Sequence, residues 1–287
     1  MNKNEILKKY QKPEDKLLMA KVLDKIEAML KYNKIENTFF LDLYQQNLIE
    51  KLLKNIKMQN YIFYGGGEEV ERTMLFLYPN KFENLEKQTI YQEKIKGIRI
   101  LLPNENQGKY THKDYLGAVM KLGIKREKIG DILVDKQGAD IIVSSEIAQY
   151  ILENISGLTR FSKAEIEQIE IQDLRKVQIN KEEIKIIVAS LRLDNIVSEL
   201  TKTSRQKANE IIKQERVFIN FENETKSTKL LKQEDIITIR GKGRFKIKEN
   251  LGNTKKGNTI LTIEKWSWHR TIGGRLKVDI FVHLATF

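Results

Sequence analysis

The chain has 287 residues, 40% of them hydrophobic and 31% charged, with 51 Lys or Arg against 39 Asp or Glu, 3 prolines and no cysteine. That length suits two or three compact units, and the missing cysteines exclude a disulfide scaffold, a thiolate metal site and a thiol nucleophile. No apolar run approaches the roughly 18 residues of a membrane helix, and the opening MNKNEILKKYQKPEDK is too polar for a signal peptide, so a soluble cytoplasmic protein is expected.

Pro13-Glu14-Asp15 opens a helix whose inward stripe is read as Leu17, Leu18, Ala20, Val22, Ile26, Met29 and Leu30. Thr38 is read as the cap of a second helix carrying Phe39, Leu43, Leu48, Leu52 and Leu53. Tyr61–Tyr64 and Met74–Tyr78 are predicted strands, joined through Gly65-Gly66-Gly67 and an acidic run. A triple glycine invites a phosphate-loop reading, but no Gly-Lys-Ser/Thr follows, and a hairpin connection fits better. Ile98–Pro103 is a predicted strand. Thr111–Leu122 is a helix with Tyr115, Leu116, Val119 and Met120 inward. Asp131–Val134 and Asp140–Val143 pair around Lys136-Gln137-Gly138, and Ser145–Ile155 is a helix. A strand then returns through Ile169-Glu170-Ile171 or Lys176-Val177-Gln178. This order is the ferredoxin-like arrangement that RNA-recognition folds also use. Such sheets bind RNA through exposed aromatics. None stands between Asp131 and Val143, so a structural or protein-binding role is expected. Asn180-Lys181-Glu182-Glu183 is read as a charged boundary.

The last third carries the densest signal. Leu193, Ile196, Val197 and Leu200 share one helical face, and Thr203 or Ser204 can cap a second helix with Ala208, Ile211 and Ile212 buried. Arg205 and Lys207 sit in that helix's first turn, where the dipole disfavours cations. This placement suggests an external anion, which the backbone amides there would also attract. Val217, Ile219 and Phe221 alternate as a strand; Ile237, Ile239 and Phe245, Ile247 mark two more. Between these lies Arg240-Gly241-Lys242-Gly243-Arg244, a glycine turn projecting three cations. From Ser190 to Lys265 there are 17 Lys or Arg against 10 Asp or Glu, whereas residues 1–189 hold 31 against 28. The positive excess is therefore concentrated at one end and predicts salt-dependent polyanion binding. The scattered lysines of the first half are read as a solvated surface.

Two resemblances follow. Arg192-Leu193-Asp194, Ser204-Arg205 with Ala208 and Ile212, Val217-x-Ile219-Asn220 and Gly241-Lys242-Gly243-Arg244 resemble the small RNA-binding domain named after ribosomal protein S-four, the alpha-L motif. Glu215 stands where that family usually has glycine. With this module, the run His112–Ile132 and Gly65-Gly66-x-Glu68-Glu69-x-Glu71-Arg72 resemble the bacterial YlmH family of RNA-binding proteins, over roughly residues 5 to 265. That family tends to place an aromatic after the paired glycines, where this chain has Gly67. The resemblance implies action on the large ribosomal subunit near stalled peptidyl-tRNA, and a gene neighbourhood linked to cell division.

Catalytic readings are weaker. His112 and Asp114 could pass for acid and base, but no nucleophile or third partner is placed beside them and a capping role is simpler. Arg192-Leu193-Asp194 mimics the catalytic triplet of pseudouridine synthases, yet it falls within the module's first helix. Three histidines without paired spacing make a metal site improbable. Both tryptophans lie beyond Lys265, and residues 266–287 read as an atypical tail, with Val278–Leu284 able to add a strand.

The expected architecture is α+β and multi-domain. It comprises a helical and hairpin domain over 1–88, a ferredoxin-like, RRM-like domain over 89–180 and a small αα-β RNA-binding domain over 181–265. The expected function is non-catalytic, cofactor-free gripping of structured ribosomal RNA, with tRNA as a further contact, by a monomer during rescue of stalled ribosomes. RNA-binding residues would be Arg192, Arg205, Lys207, Asn220, Arg240, Lys242 and Arg244. The competing functions are a pseudouridine-synthase-like RNA-modifying enzyme and an adaptor linked to cell division.

Overall fold

Helices Lys3–Leu7 (α1) and Pro13–Tyr32 (α2) open the chain in the computed structural model, which describes residues 3–67, 70–82, 93–175, 179–268, 270–272 and 275–277. Proline at the start of α2 needs no intrahelical donor, and Asn33 ends the helix in the left-handed conformation that asparagine tolerates. Its buried stripe is Asp15, Met19, Val22, Leu23, Ile26 and Met29. Leu17 and Leu30 were expected inward, but they are 58% and 67% exposed. Leu17 falls two residues from both Asp15 and Met19, so it projects from the opposite face.

Thr38 caps no helix. Glu36–Leu41 is strand β1, and the Thr38 hydroxyl accepts from the Leu75 amide at 2.9 Å. The Thr38-Phe39-Phe40 run favours a pleated surface. Helix α3, Leu43–Asn55, begins instead at Asp42, whose carboxylate accepts from the Gln45 amide at 2.8 Å while Gln45 accepts from the Asp42 amide at 3.0 Å. Tyr61–Tyr64 (β2) and Thr73–Leu77 (β3) complete an antiparallel sheet of order β1-β3-β2. One face of it packs Leu75 and Leu77 on Met19, Leu23 and Leu53.

The next sheet comprises Ile95–Leu101 (β4), Ile129–Val134 (β5), Gly138–Ser144 (β6) and Glu165–Ile169 (β7), in the antiparallel order β5-β6-β4-β7. Its helices are His112–Lys121 (α4) and Ser145–Asn154 (α5), so the ferredoxin-like arrangement is present. The returning strand precedes Ile171, where a 3-10 turn begins; Lys176-Val177-Gln178 lies outside the described residues. Tyr115, Ala118 and Val119 face the core as helical spacing requires, while Met120 is exposed. Every residue of β6 is buried because both sheet faces are covered. The helices cover one face. On the other, Ile95, Ile142 and Ile171 pack with Phe40, Met74 and Phe76 of the first sheet.

A polar clasp joins these two sheets and accounts for two of the sequence motifs. The Asp131 carboxylate accepts from the amides of Glu71 at 2.5 Å and Arg72 at 3.2 Å. The Arg72 guanidinium donates to the carbonyls of Ile129 at 2.9 Å, Phe40 at 3.0 Å and Arg126 at 3.4 Å. Gly65 is required beside it, since a Cβ there would lie 2.2 Å from the Arg72 carbonyl oxygen. Glu68 and Glu69 lie outside the described residues. Burial pushes the Asp131 carboxyl up to about 6, with the Glu71 carboxylate adding to the effect and its hydrogen bonds opposing it. Burial and neighbouring Arg72 bring Arg126 down to about 9. A carboxyl raised on folding contributes stability that is full below about pH 4 and is lost as pH rises through about 6. Unfolding free energy should therefore fall by about 2–3 kcal/mol between pH 4 and 7 relative to Asp131→Asn. Urea titrations of both proteins test this, and parallel pH profiles would refute it.

By internal packing the chain divides into two units, residues 1–177 and 178–287. The second holds helices Leu193–Thr201 (α6) and Arg205–Lys213 (α7) on one face of a six-stranded sheet. Its strands are Ile179–Val188 (β8), Val217–Ile219 (β9), Glu222–Asn223 (β10), Ile236–Ile239 (β11), Gly243–Asn253 (β12) and Thr259–Trp268 (β13), ordered β10-β9-β11-β12-β13-β8. The run Asn180–Glu183 lies just inside this second unit and is strand, with Lys181 opposite Trp266 and Glu182 opposite Lys265. Phe221 is not in the strand but in the turn after it. The strand through Ile263 continues to Trp268, so Trp266 belongs to the sheet. Arg270–Ile272 (β14) and Arg275–Lys277 (β15) pair with each other; Val278–Leu284 lies outside the described residues. Among the described residues no helix is long and apolar enough to cross a membrane.

Candidate nucleic-acid interface

The best-organised cluster of cations is built on one carboxylate. Asp194, in the first turn of α6, is only 2% exposed. Arg192 donates to it through Nε at 3.2 Å and Nη2 at 2.9 Å, and Arg205 through Nε at 3.0 Å and Nη2 at 2.8 Å. The Asn195 amide adds a fifth bond at 2.9 Å. Burial alone would raise this carboxyl; the hydrogen bonds and charges of Arg192 and Arg205 outweigh it and hold the group below the usual carboxylate range. The arginines themselves stay partly in solvent, the Arg205 side chain by 54%. Asp194 thus fixes two guanidiniums side by side without removing them from the surface.

Helix α7 adds to this edge. The Ser204 hydroxyl accepts from the Lys207 amide at 3.2 Å, which settles the choice of cap. The Lys207 ammonium pairs with Glu210 at 2.8 Å and remains exposed. Arg205, Gln206, Asn209, Glu210, Lys213 and Ser227 line an open groove along the helix. Gln206, Asn209 and Lys213 recur at helical spacing on that groove, a signal readable from the sequence but obscured by their ordinary polarity.

The second cluster sits at the other end of α7. Arg216, just past the helix, donates to the Arg240 carbonyl at 2.9 Å, and the Arg240 amide donates back to the Arg216 carbonyl at 2.9 Å. This pair anchors the turn from β11 to β12, in which Gly241 has φ of 78° and Lys242 is exposed. The two clusters sit at opposite ends of α7, whose nine residues span about 14 Å at 1.5 Å per residue. The seven residues singled out therefore divide rather than meet at one point. Arg192 and Arg205 are joined through Asp194 with Lys207 nearby, and Arg240 and Lys242 lie apart from them. Arg244 is buried, 4% exposed, its guanidinium 5.4 Å from the Phe221 ring centre and 5.3 Å from that of Trp266. Asn220 is turned inward, donating to Asp235 at 2.9 Å and accepting from the Ile236 amide at 2.9 Å. Glu215 does adopt a positive φ, 56°, at a cost of about 1 kcal/mol.

Comparison with known proteins bears on both units. A family model described as "Putative RNA-binding domain in YlmH" matches residues 94–173, the span of the ferredoxin-like sheet and its helices. A curated Bacillus subtilis (strain 168) protein, "Ribosome-associated protein quality control protein P2", is 28% identical over 237 residues, covering 79% of this chain and 86% of its own length. Over residues 94–173 the chain is thus similar to the YlmH family's RNA-binding domain. A solved structure, "Cell division protein ylmH from Streptococcus pneumoniae", shares 22% identity at a TM-score of 0.45, covering 58% of this chain and 98% of that one.

The YlmH-type domain does not present its sheet as an RNA-recognition fold does. Part of the helix-free face is packed on Phe40, Met74 and Phe76. Beside that, Asp140 is fully buried, bonded to Arg99 at 2.9 and 2.8 Å and to the Arg175 amide at 2.8 Å, with Arg175 also bridging to Asp135. No open row of aromatics remains on it among the described residues. Asp114 serves as a cap, accepting from the Thr111 amide at 2.7 Å and pairing with Arg160 at 2.9 Å. Among the described residues no group of three or more His, Asp or Glu could hold a metal ion.

Proposed function

We propose that this protein grips structured ribosomal RNA on the large subunit, near peptidyl-tRNA, during rescue of stalled ribosomes. The observation that carries the reading is the Asp194 clasp, which holds Arg192 and Arg205 at the surface beside the capped start of α7. Two fixed, partly solvated guanidiniums at a helix N-terminus suit phosphate oxygens. In this reading Arg192, Arg205 and Lys207 meet one stretch of backbone and Arg240 and Lys242 another, while Asn220 and Arg244 hold the turns in place. The name of the Bacillus subtilis relative, a ribosome-associated quality-control protein, supports the setting. An RNA-modifying activity centred on Asp194 is disfavoured because its carboxylate is occupied by five donors.

Salt dependence tests the proposal. Lys207→Ala with Lys242→Ala should remove about two phosphate contacts and flatten the slope of log affinity against log salt by roughly 1 to 2 units. Stability should change by no more than about 0.5 kcal/mol, since both side chains are exposed. Lys25→Ala with Lys54→Ala in the first unit is the control and should leave affinity for ribosomal RNA intact. Equal losses from both pairs would reduce the grip to diffuse charge and defeat the reading.

A further inference from the structure

The hairpin from β9 to β10 closes on Asn220 and Phe221, with Ile219 opposite Glu222 and φ of 51° and 71° at the two turn residues. Two successive left-handed residues make the type I′ turn, for which Asn-Gly is the unstrained pair. Asparagine suits the first position. Phenylalanine at the second is costly, because its Cβ crowds the backbone there. A bulky ring thus occupies a place where glycine would fold more easily, and its surroundings indicate a use for it. The Arg244 guanidinium lies between the rings of Phe221 and Trp266, and the Lys181 ammonium lies 5.9 Å from the centre of Trp266. Alongside, Arg240 stacks on Phe218 at 5.0 Å. Arg244 faces Thr238 on one side and Trp266 on the other, alternating with Phe245 and Ile263, which belong to the core under the helices. The aromatic and cationic row therefore occupies the sheet face that α6 and α7 leave uncovered. Phe221, Trp266 and Arg240 are half-buried, and Lys242 is exposed on the adjoining turn.

We propose that Phe221 and Trp266, with Arg244 fixed between them, form a stacking site for an unpaired RNA base whose backbone Arg240 and Lys242 hold. The inference rests on the RNA-gripping reading above and adds the kind of nucleotide recognised. A planar base can stack on an aromatic ring or a guanidinium, and every base offers such a face. An acidic peptide would be served by the lysines and arginines alone and would gain nothing from a strained ring.

The test compares two fluorescent RNA hairpins, one blunt and one with an unpaired three-adenosine overhang, binding to the full chain. Wild type should prefer the overhang, and Phe221→Leu and Trp266→Leu should each bind that RNA about tenfold more weakly while holding the blunt hairpin as before. Phe221→Trp should keep the preference. The salt slope should stay unchanged in all three, because no phosphate contact is lost. Phe221→Gly should melt at or above the wild-type temperature, its turn strain relieved, and still lose the overhang preference. A preference that survives in Phe221→Leu, or in Trp266→Leu, overturns the stacking site while leaving the phosphate grip standing. Failure of the wild type to bind either hairpin overturns both. Displacement of the overhang RNA by polyglutamate from wild type but not from Phe221→Leu would reassign the face to an acidic peptide.

Discussion

Arg72→Ala should destabilise the first unit by about 3–4 kcal/mol and lower its melting temperature by about 10 °C. The guanidinium joins three carbonyls, that of Phe40 in the first sheet and those of Ile129 and Arg126 at and just before the start of β5 in the second, two sheets that share a core. Truncation strands these acceptors and deletes a cation next to the Asp131 carboxylate. Burial already holds the Arg72 guanidinium below its ordinary pKa, so its retention there requires those partners. Calorimetry on the full chain, with limited proteolysis to locate the loosened segment, measures the effect. A loss below about 1 kcal/mol would show that apolar packing of Phe40, Phe76 and Ile142 suffices. On the proposed reading RNA affinity resides in the second unit and should be unmoved, which separates this result from any failure to bind.

Local chemistry made much of the fold legible. The ferredoxin-like order emerged from helical spacing in α4 and α5 and from short apolar runs in the strands, among them β6, which is buried on both faces. Thr38 failed for a physical reason. Its residue type suits a cap and a strand equally, and the long-range pairing of Glu36 with Leu77 decided between them. Residues 180–183 lie just inside the second unit, and there they are strand. A run of Asn, Lys and Glu has no strand propensity, yet the pairing of β8 with β13 imposes one. Trp266 was discounted on composition alone, although register places it opposite Arg244.

The candidate site was legible as a set of cations but not in its arrangement. Cations at 192, 205, 207, 240, 242 and 244 stand out as letters, and all lie in the second unit. What the sequence cannot encode locally is which cation is exposed. Arg244 alternates with core residues on a strand, and its burial follows from rings that lie 22 and 23 positions away in either direction. Asp194 holds two arginines, because Arg205 begins the neighbouring helix.

Asp194→Asn should therefore weaken RNA binding without removing any RNA contact. The amide keeps the side chain's size but loses the charge that anchors Arg192 and Arg205, and it presents donors to guanidiniums that need acceptors. Breaking such a buried, charge-assisted set costs about 2–4 kcal/mol of stability. Affinity for ribosomal RNA should fall about tenfold, since two freed arginine side chains must be ordered on binding. The salt slope should remain at the wild-type value, because both cations are still present. That combination separates a positioning role from a contact, which would flatten the slope. It also separates both from catalysis: nucleotide modification in ribosomal RNA, read by mass spectrometry, should match between wild type and variant. The carboxyl, lowered by its two arginines, contributes its stability above the ordinary carboxylate range and loses it as pH falls through the lowered value. Wild type and Asp194→Asn should accordingly converge in stability toward acid and diverge toward neutrality. A constant gap between them from pH 2 to 7 would mean that shape, and not charge, holds the clasp together.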